Sequence, residues 1–231
     1  MKLGLISDIH GDVKSLRIAL DILQGQGAQR IICLGDVVER GPDGVAAIQL
    51  LRESQILCVQ GNHDEAAVEN QRWWLEHGDL TRADVRWRLL LDADALDYLK
   101  QLPFSLRFIW RNKQGQRLRV LLAHGTPASH TDYLLPNSAP RKFAQIAQTA
   151  QADVILYGHT HQPLQAFFAG VWFFNPGMVY GPAAVSVLPE YGGRNHSTCA
   201  TLTLPDCTFR VFNLGSGEPI DVPYIHDDSR E

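Results

Sequence analysis

The chain has 231 residues, 45 % of them hydrophobic, and a formal net charge of −4, which favours one domain, residues 1–231, around one substantial core. This charge lacks the strong basic character typical of proteins that bind nucleic-acid polymers or anionic membranes, so we expect neither partner. The N-terminus becomes polar at Ser7-Asp8, no apolar run is long enough to cross a bilayer, and the four cysteines form no C-x-x-C pair, so we expect a reduced, cytoplasmic protein.

The first third of the chain alternates strand-like and helix-like segments. Helical spacing of apolar residues predicts two helices, at 13–23 and 44–54. Short apolar runs predict three strands around them, at 2–7, 30–34 and 56–59. This β-α-β-α-β order predicts a parallel sheet with right-handed crossovers.

The rest of the chain begins with a change of pattern. Residues 65–102 no longer alternate, and we interpret them as a helical insertion that ends in a helix at 94–101. Further elements are predicted as a hairpin, a helix, two strands and a final antiparallel pair, at 105–110 with 117–123, 141–150, 153–157, 171–174, and 198–204 with 208–214. The polar tail from 215 onward is expected to be poorly ordered.

Five of the predicted strands end in side chains that can bind a metal. They are Asp8 and His10, Asp36, Asn62 and His63, His124, and His159 and His161. The carboxyl ends of strands are where open α/β sheets bind ligands. Oxygen and imidazole donors without a thiolate favour Mn, Fe, Zn, Co or Ni over a structural zinc site.

The spacing of these residues favours two ions. Asp8 and His10 are two apart, as are His159 and His161, so on extended chain both side chains of a pair point to one side, roughly 6.6 Å apart. The two metals of a dinuclear site are about 3.5–4 Å apart. The two oxygens of Asp36 can bridge such ions. Without His63, seven ligands are too many for one ion, and two ions that share Asp36 fit the number.

Five short blocks resemble those of the calcineurin-like metallophosphoesterase superfamily, in that family's order. They are Asp8-Ile9-His10, Gly35-Asp36, Gly61-Asn62-His63-Asp64, His124-Gly125 and Gly158-His159-Thr160-His161. The opening residues 5–12 and the turn at 175–177 resemble the small bacterial single-domain phosphoesterases of that family. The resemblance implies an α/β fold, a four-layer α/β/β/α sandwich of two mixed sheets flanked by helices.

The resemblance also implies roles for these residues. One ion takes Asp8, His10, Asp36 and His161, and the other takes Asp36, Asn62, His124 and His159. His63 matches the family's general acid or phosphate-stabilising histidine. Glu39 and Arg40 follow Asp36 in a Gly-Asp-Val-Val-Glu-Arg-Gly block, which is similar to Gly-Asp-x-Val-Asp-Arg-Gly of the protein phosphatases and diadenosine tetraphosphatases. There the acid orients the catalytic histidine and the arginine binds phosphate, and here Glu replaces Asp.

The expected function is therefore that of a dinuclear metal-dependent phosphoesterase. It would hydrolyse a small phosphate ester by attack of a metal-bound hydroxide, with Mn²⁺ as the first choice of metal and Fe, Zn, Ni or Co as alternatives. Monoesters, diesters and dinucleoside polyphosphates all stay open as substrates. The alternative function is a non-catalytic metal-binding scaffold of the same fold. The sequence predicts no oligomeric state.

Other polar residues near or outside these blocks have simpler interpretations. We expect Asp12 to cap the first helix rather than to bind metal. The histidines that no block surrounds are expected on the surface, namely His77, His130, His196 and His226.

Overall fold

The computed structural model describes residues 1–79, 81–82, 91–181 and 197–227. Within these ranges the helices are α1 Val13–Gly25, α2 Gly44–Glu53, α3 Asn62–His77, α4 Ala93–Gln101 and α5 Pro140–Ala150. The strands are β1 Lys2–Ile6, β2 Arg30–Cys33, β3 Leu57–Cys58, β4 Ser105–Arg111, β5 Arg117–Ala123, β6 Val154–Leu156, β7 Leu164–Phe168, β8 Val171–Asn175, β9 Thr198–Thr203, β10 Thr208–Asn213, β11 Pro219–Ile220 and β12 Tyr224–His226. Among the described residues, no helix has the length and apolar character needed to cross a membrane.

The strands form two mixed sheets of six strands each. The first has the order β11-β10-β9-β1-β2-β3, and β1, β2 and β3 are parallel, as predicted. The second has the order β12-β7-β8-β6-β5-β4, and its strands β5, β6 and β8 are parallel. The parallel strands matter for function, because the loops that follow them bring together the polar residues of the five blocks.

Side chains that alternate along the strands build three apolar layers. Leu5 of the first sheet and Leu122 of the second are fully buried in a cluster between the sheets. Ile6 points the other way and packs with Leu16 of α1, whereas Leu121 joins a cluster with Phe143 of α5 on the far side of the second sheet. Helices therefore cover both outer faces, and the predicted sandwich of two mixed sheets flanked by helices is confirmed.

Helix α1 begins where the sequence predicts. The Asp12 carboxylate accepts a hydrogen bond from the Ser15 amide at 2.9 Å, which satisfies one of the free N–H groups of the first turn. The second carboxylate oxygen accepts from the Ser15 hydroxyl and from the Gly181 amide, at 2.9 and 2.8 Å. Asp12 is thus a helix cap, as expected.

Three features differ from the predicted elements or extend them. The prediction of a poorly ordered tail is wrong for 219–226, because β11 pairs with β10 and β12 with β7, and Ile220 packs beside the core between the sheets. Strand β7 was not predicted, although Leu164, Ala166 and Phe168 alternate as buried residues along it. Of the predicted insertion 65–102, α4 and most of α3 are described, and residues 80 and 83–90 lie outside the described chain.

Candidate metal centre

All seven residues predicted as metal ligands meet at one end of the sandwich. The loops after β1 and β2 of the first sheet contribute Asp8, His10 and Asp36, and the first residue of α3, which follows β3, contributes Asn62. The loops after β5 and β6 of the second sheet contribute the other three, His124, His159 and His161. The ligand set therefore spans both sheets.

One group consists of Asp8, His10 and His161, whose ligand atoms lie within 4.8 Å of one another. The Nε2 atom of His161 is 3.2 Å from Asp8 Oδ1 and 3.2 Å from Nε2 of His10. Two imidazole nitrogens this close, beside a carboxylate, are well arranged to share one cation.

A second group consists of Asp36, His124 and His159, again with ligand atoms within 4.8 Å of one another. The Nε2 atom of His124 is 3.3 Å from Asp36 Oδ2 and 3.2 Å from Asn62 Oδ1. Asp36 also borders the first group, because its Oδ2 lies 3.8 Å from His10 Nε2. One carboxylate thus lies between two sets of ligand atoms.

The hydrogen bonds in the site suit cation binding. Because a carbonyl only accepts, the Leu34 carbonyl 2.7 Å from Nδ1 of His124 fixes the proton there and leaves Nε2 for a metal. His159 likewise has a hydrogen bond with the backbone of Thr131. Among the described residues, His159 Nε2 is buried and has no hydrogen-bond partner, although buried polar atoms are nearly always paired. These donors fit divalent cations.

Opposite charges in the site shift the pKa values of its carboxylates and histidines. Burial raises the pKa of Asp8, but the neighbouring His161 and His124 outweigh it and lower the pKa to about 2. Burial lowers the pKa of His124, but the charge of Asp36 outweighs it and raises the pKa to about 10. Burial lowers the pKa of His159 to about 4. At neutral pH the carboxylate of Asp8 is therefore ionised, His159 is neutral, and His124 must lose a proton before it can bind a metal.

The backbone of the ligand residues lies in the left-handed region. The φ angles are 54° at Asp8, 50° at His10, 55° at Asp36, 65° at His159 and 58° at His161. The prediction that the residues of each pair lie on extended chain, with both side chains on one side, is therefore wrong. Backbone bonds between loops impose the turns, for example from the Asp8 amide to the Gly35 carbonyl at 3.0 Å and from the His10 amide to the Asp36 carbonyl at 2.9 Å. Such conformations cost about 1–3 kcal/mol each and concentrate at functional sites.

Two glycines allow the loops to approach this closely. Gly35 has φ +93°, and a Cβ there would lie 2.7 Å from the Gly61 amide nitrogen and 2.8 Å from Nδ1 of His124. A Cβ on Gly61 would overlap the Asp36 carboxylate. Both positions exclude a side chain because the backbone there packs against His124 and Asp36.

His63 lies beside this centre, next to Glu39 and Arg40. Its Nδ1 is 2.7 Å from Oε2 of Glu39, and its Nε2 is 3.4 Å from Nη2 of Arg40. Burial lowers the pKa of His63, but the Glu39 hydrogen bond and the Asp36 charge outweigh it, so the pKa is raised. Glu39 is 6 % exposed. Its buried carboxylate therefore holds the His63 ring in one orientation.

Comparison with known proteins assigns the chain to a family. Residues 1–202 match the model of the calcineurin-like phosphoesterase superfamily domain. The chain belongs to the calcineurin-like phosphoesterase superfamily. The predicted membership of this family is thereby confirmed.

Curated relatives of this phosphoesterase cover most of its length. It is 24 % identical over 216 residues to the phosphodiesterase YfcE of Escherichia coli K12, which covers 89 % of this chain and 94 % of that protein. It is 26 % identical over 199 residues to serine/threonine-protein phosphatase 1 of Salmonella typhimurium, covering 77 % of this chain and 87 % of that protein.

Solved structures share the fold of this phosphoesterase. A metallophosphoesterase of Sphaerobacter thermophilus superposes with a TM-score of 0.69 at 23 % identity, covering 96 % of this chain and 89 % of that one. Vacuolar protein sorting 29 of Cryptosporidium parvum superposes with a TM-score of 0.54 at 17 % identity, covering 95 % and 94 % of the two chains. At these identities the likeness concerns the fold alone.

Two further residues of the phosphoesterase support its ligand loops. The carboxylate of Asp64 accepts the Val37 amide at 2.8 Å and the Gly61 amide at 3.0 Å, and burial, then the charge of Asp36, raises its pKa to about 7. The Asn175 amide donates to the Gly158 carbonyl at 2.7 Å. Sequence reasoning noted both residues without finding these contacts, which only the three-dimensional approach of the loops creates.

The expectation for the remaining histidines is wrong at one position. His130 is only 6 % exposed, since the loop after β5 places its ring on Phe104, with centroids 4.3 Å apart, and its Nδ1 3.3 Å from Oε2 of Glu65. His77 and His226 are exposed, as expected. His196 lies outside the described residues.

Proposed function

We propose that this chain is a dinuclear metal-dependent phosphoesterase that hydrolyses a small phosphate ester. The observation that supports this most directly is the position of Asp36, whose Oδ2 lies 3.8 Å from His10 Nε2 and 3.3 Å from His124 Nε2. A carboxylate between two sets of ligand atoms is suited to bridge two cations. The family and the activities named for its relatives agree with this proposal.

In this proposal each ion takes ligands from both sheets. Asp8, His10, Asp36 and His161 bind the first ion, and Asp36, Asn62, His124 and His159 bind the second. Mn²⁺ is our first choice, with Fe, Zn, Ni or Co as alternatives, because nitrogen and oxygen donors without thiolate suit all of them. When bound, such ions polarise phosphoryl oxygens and supply a nucleophile at neutral pH.

His63 would donate a proton to the leaving group. Its Nδ1 faces Glu39 at 2.7 Å, so the other nitrogen, Nε2, is the one that can turn toward substrate. The raised pKa increases the protonated fraction of this ring over that of an ordinary histidine. General acid catalysis of this kind contributes typically about 10²–10⁴-fold. Although Glu39 stands where relatives of this block have Asp, its longer side chain still reaches the ring.

Arg40 would bind a phosphoryl oxygen. Its guanidinium lies beside His63, with Nη2 3.4 Å from Nε2, and arginine matches phosphate with two parallel N–H donors. Two cations and a guanidinium favour an anionic ester as the substrate. Monoester, diester and dinucleoside polyphosphate stay as alternatives, and the relatives' names include both a phosphodiesterase and a phosphatase.

A second candidate is a metal-binding scaffold without turnover. The likeness to vacuolar protein sorting 29 favours it at the level of fold alone. The retention of His63 with its Glu39 partner argues for catalysis, since a scaffold has no use for an oriented proton donor.

Metal removal and replacement would test the proposal. We would strip the purified chain with a chelator, add back Mn²⁺, Ni²⁺, Zn²⁺ or Mg²⁺, and measure turnover of a nitrophenyl phosphate monoester and diester. We expect activity to return with about two ions per chain, and the preferred ester to identify the substrate class.

Two variants serve as controls in the same experiment. His63→Ala should keep both ions and lose most of kcat, whereas Asp36→Asn should lose metal. Full binding of two ions by wild-type protein without turnover of any ester would favour the scaffold. An unchanged metal-to-protein ratio in Asp36→Asn would remove the bridge from the proposal.

A further inference from the structure

An aromatic ring borders the second ligand group on the side of His159. Tyr133, in the loop between β5 and α5, stacks on the His159 imidazole with ring centroids 4.2 Å apart and an interplanar angle of 30°. Tyr133 nevertheless remains 43 % exposed. The ring of Tyr133 thus contacts a candidate ligand of the second ion, and part of the residue stays accessible.

Hydrogen bonds to residues 132–134 hold the backbone of the loop that carries Tyr133. The ammonium group of Lys142 on α5 donates to the Tyr133 carbonyl at 2.6 Å and to the Asp132 carboxylate at 2.6 Å. The next carbonyl, that of Leu134, accepts the Tyr157 hydroxyl at 3.0 Å. A loop whose backbone is held before a ligand arrives loses little entropy when it binds one.

The residues around Tyr133 indicate which part of a substrate its ring can bind. The two ligand groups and Arg40 can bind a phosphate. They are polar, however, and offer no apolar surface to the organic group of a phosphate ester. An aromatic face stacks on another aromatic ring and discriminates little between rings, because each has a π surface. A saturated alkyl group has no such surface.

We propose that Tyr133 is a specificity-determining residue that stacks on the aromatic group of the substrate, an aryl ring or a nucleobase, while the metal centre binds its phosphate. This inference rests on the proposed function for the phosphate site. It narrows the substrate class to phosphate esters that carry an aromatic ring close to phosphorus.

Two non-hydrolysable probes would test this with the full chain loaded with Mn²⁺. Phenylphosphonate and methylphosphonate share a phosphonate group and differ in the ring. We expect wild-type protein to bind phenylphosphonate more tightly, by about 5- to 150-fold, the usual range for stacking of one ring. Calorimetry gives both dissociation constants without any need for turnover.

Substitutions then assign the preference to the residue. Tyr133→Leu keeps an apolar side chain on His159 but removes the aromatic face, so it should abolish the preference and leave the methylphosphonate constant and the metal content unchanged. Tyr133→Phe should keep the preference. Tyr224→Leu is the matched control, because Tyr224 is 50 % exposed on β12 and packs against Trp172 instead.

Three results would overturn the inference. The first is a wild-type protein without preference for phenylphosphonate, and the second is a Tyr133→Leu variant that retains the preference. The third is a Tyr133→Leu variant that binds both probes equally more weakly and has lost metal. That result would mean that Tyr133 only supports His159. Ester turnover is measured separately. Its absence beside an intact binding preference would reject the proposed catalysis and leave the aromatic subsite standing.

Discussion

Replacement of Glu39 by Gln would remove one negative charge from the partner of His63 and keep its shape. The hydrogen bond from Nδ1 of His63 to Glu39 is 2.7 Å long and its acceptor is 6 % exposed. Hydrogen bonds to charged groups contribute about 1.5–3 kcal/mol and neutral ones about 0.5–1.5 kcal/mol. The loss of about 1–2 kcal/mol, if it falls on the transition state, lowers kcat by about 5- to 30-fold.

The pH profile gives this prediction a second, independent measurement. The Glu39 hydrogen bond helps to raise the pKa of His63, so the pKa should fall in Glu39→Gln. Since the protonated ring is the active form, the limb of kcat that declines with rising pH should move to lower pH. Glu53→Gln, the same change at an exposed position of α2, should have no effect. A kcat within twofold of wild type and an unmoved limb, at equal metal content, would refute the assigned role of Glu39.

Three further predictions concern the metal centre and its supports. Gly61→Ala should displace the Asp36 carboxylate, destabilise the fold by about 1–3 kcal/mol and lower the metal-to-protein ratio. Gly25→Ala, with no atom within 4 Å of the new Cβ, should match wild type, and equal metal content in the two variants would contradict the first expectation. Asp64→Ala leaves buried amides unpaired at about 1–3 kcal/mol each, so its Tm should fall below that of Asp64→Asn, and equal Tm values would count against those bonds. Because His124 without metal has a pKa of about 10, metal binding displaces its proton, so affinity should rise about tenfold per pH unit between 7 and 9. Metal titrations with a pH indicator would detect this, and a pH-independent affinity would exclude it.

The position of the candidate ligand residues at strand ends was predictable because it depends on local sequence. Asp36 and His124 each follow an apolar run at the end of a strand, and the rule that such ends meet in a parallel sheet already places them together. Short apolar runs likewise predicted most strands and the antiparallel pair β9–β10. Asp12 precedes a helix-like pattern, and its role as a cap needs no information beyond the next three residues.

The features that sequence reasoning missed depend on contacts between distant segments. The left-handed backbone at Asp8 follows from a bond to the carbonyl of Gly35, in the loop after the neighbouring strand, and no local pattern encodes it. His130 is buried because Phe104 and Glu65 meet it from other parts of the chain. Strand β12 was missed for the same reason, because its residues form a strand by pairing with the distant strand β7.

The division of the candidate ligands between the two sheets has a consequence for how the protein unfolds. Asp8, His10, Asp36 and Asn62 belong to one sheet, and His124, His159 and His161 to the other. Each bound ion would then cross-link the two halves of the sandwich, so separation of the sheets requires that ion–ligand bonds break first. Metal would slow unfolding as well as shift the equilibrium, and the lifetime of the folded chain would follow the supply of its metal.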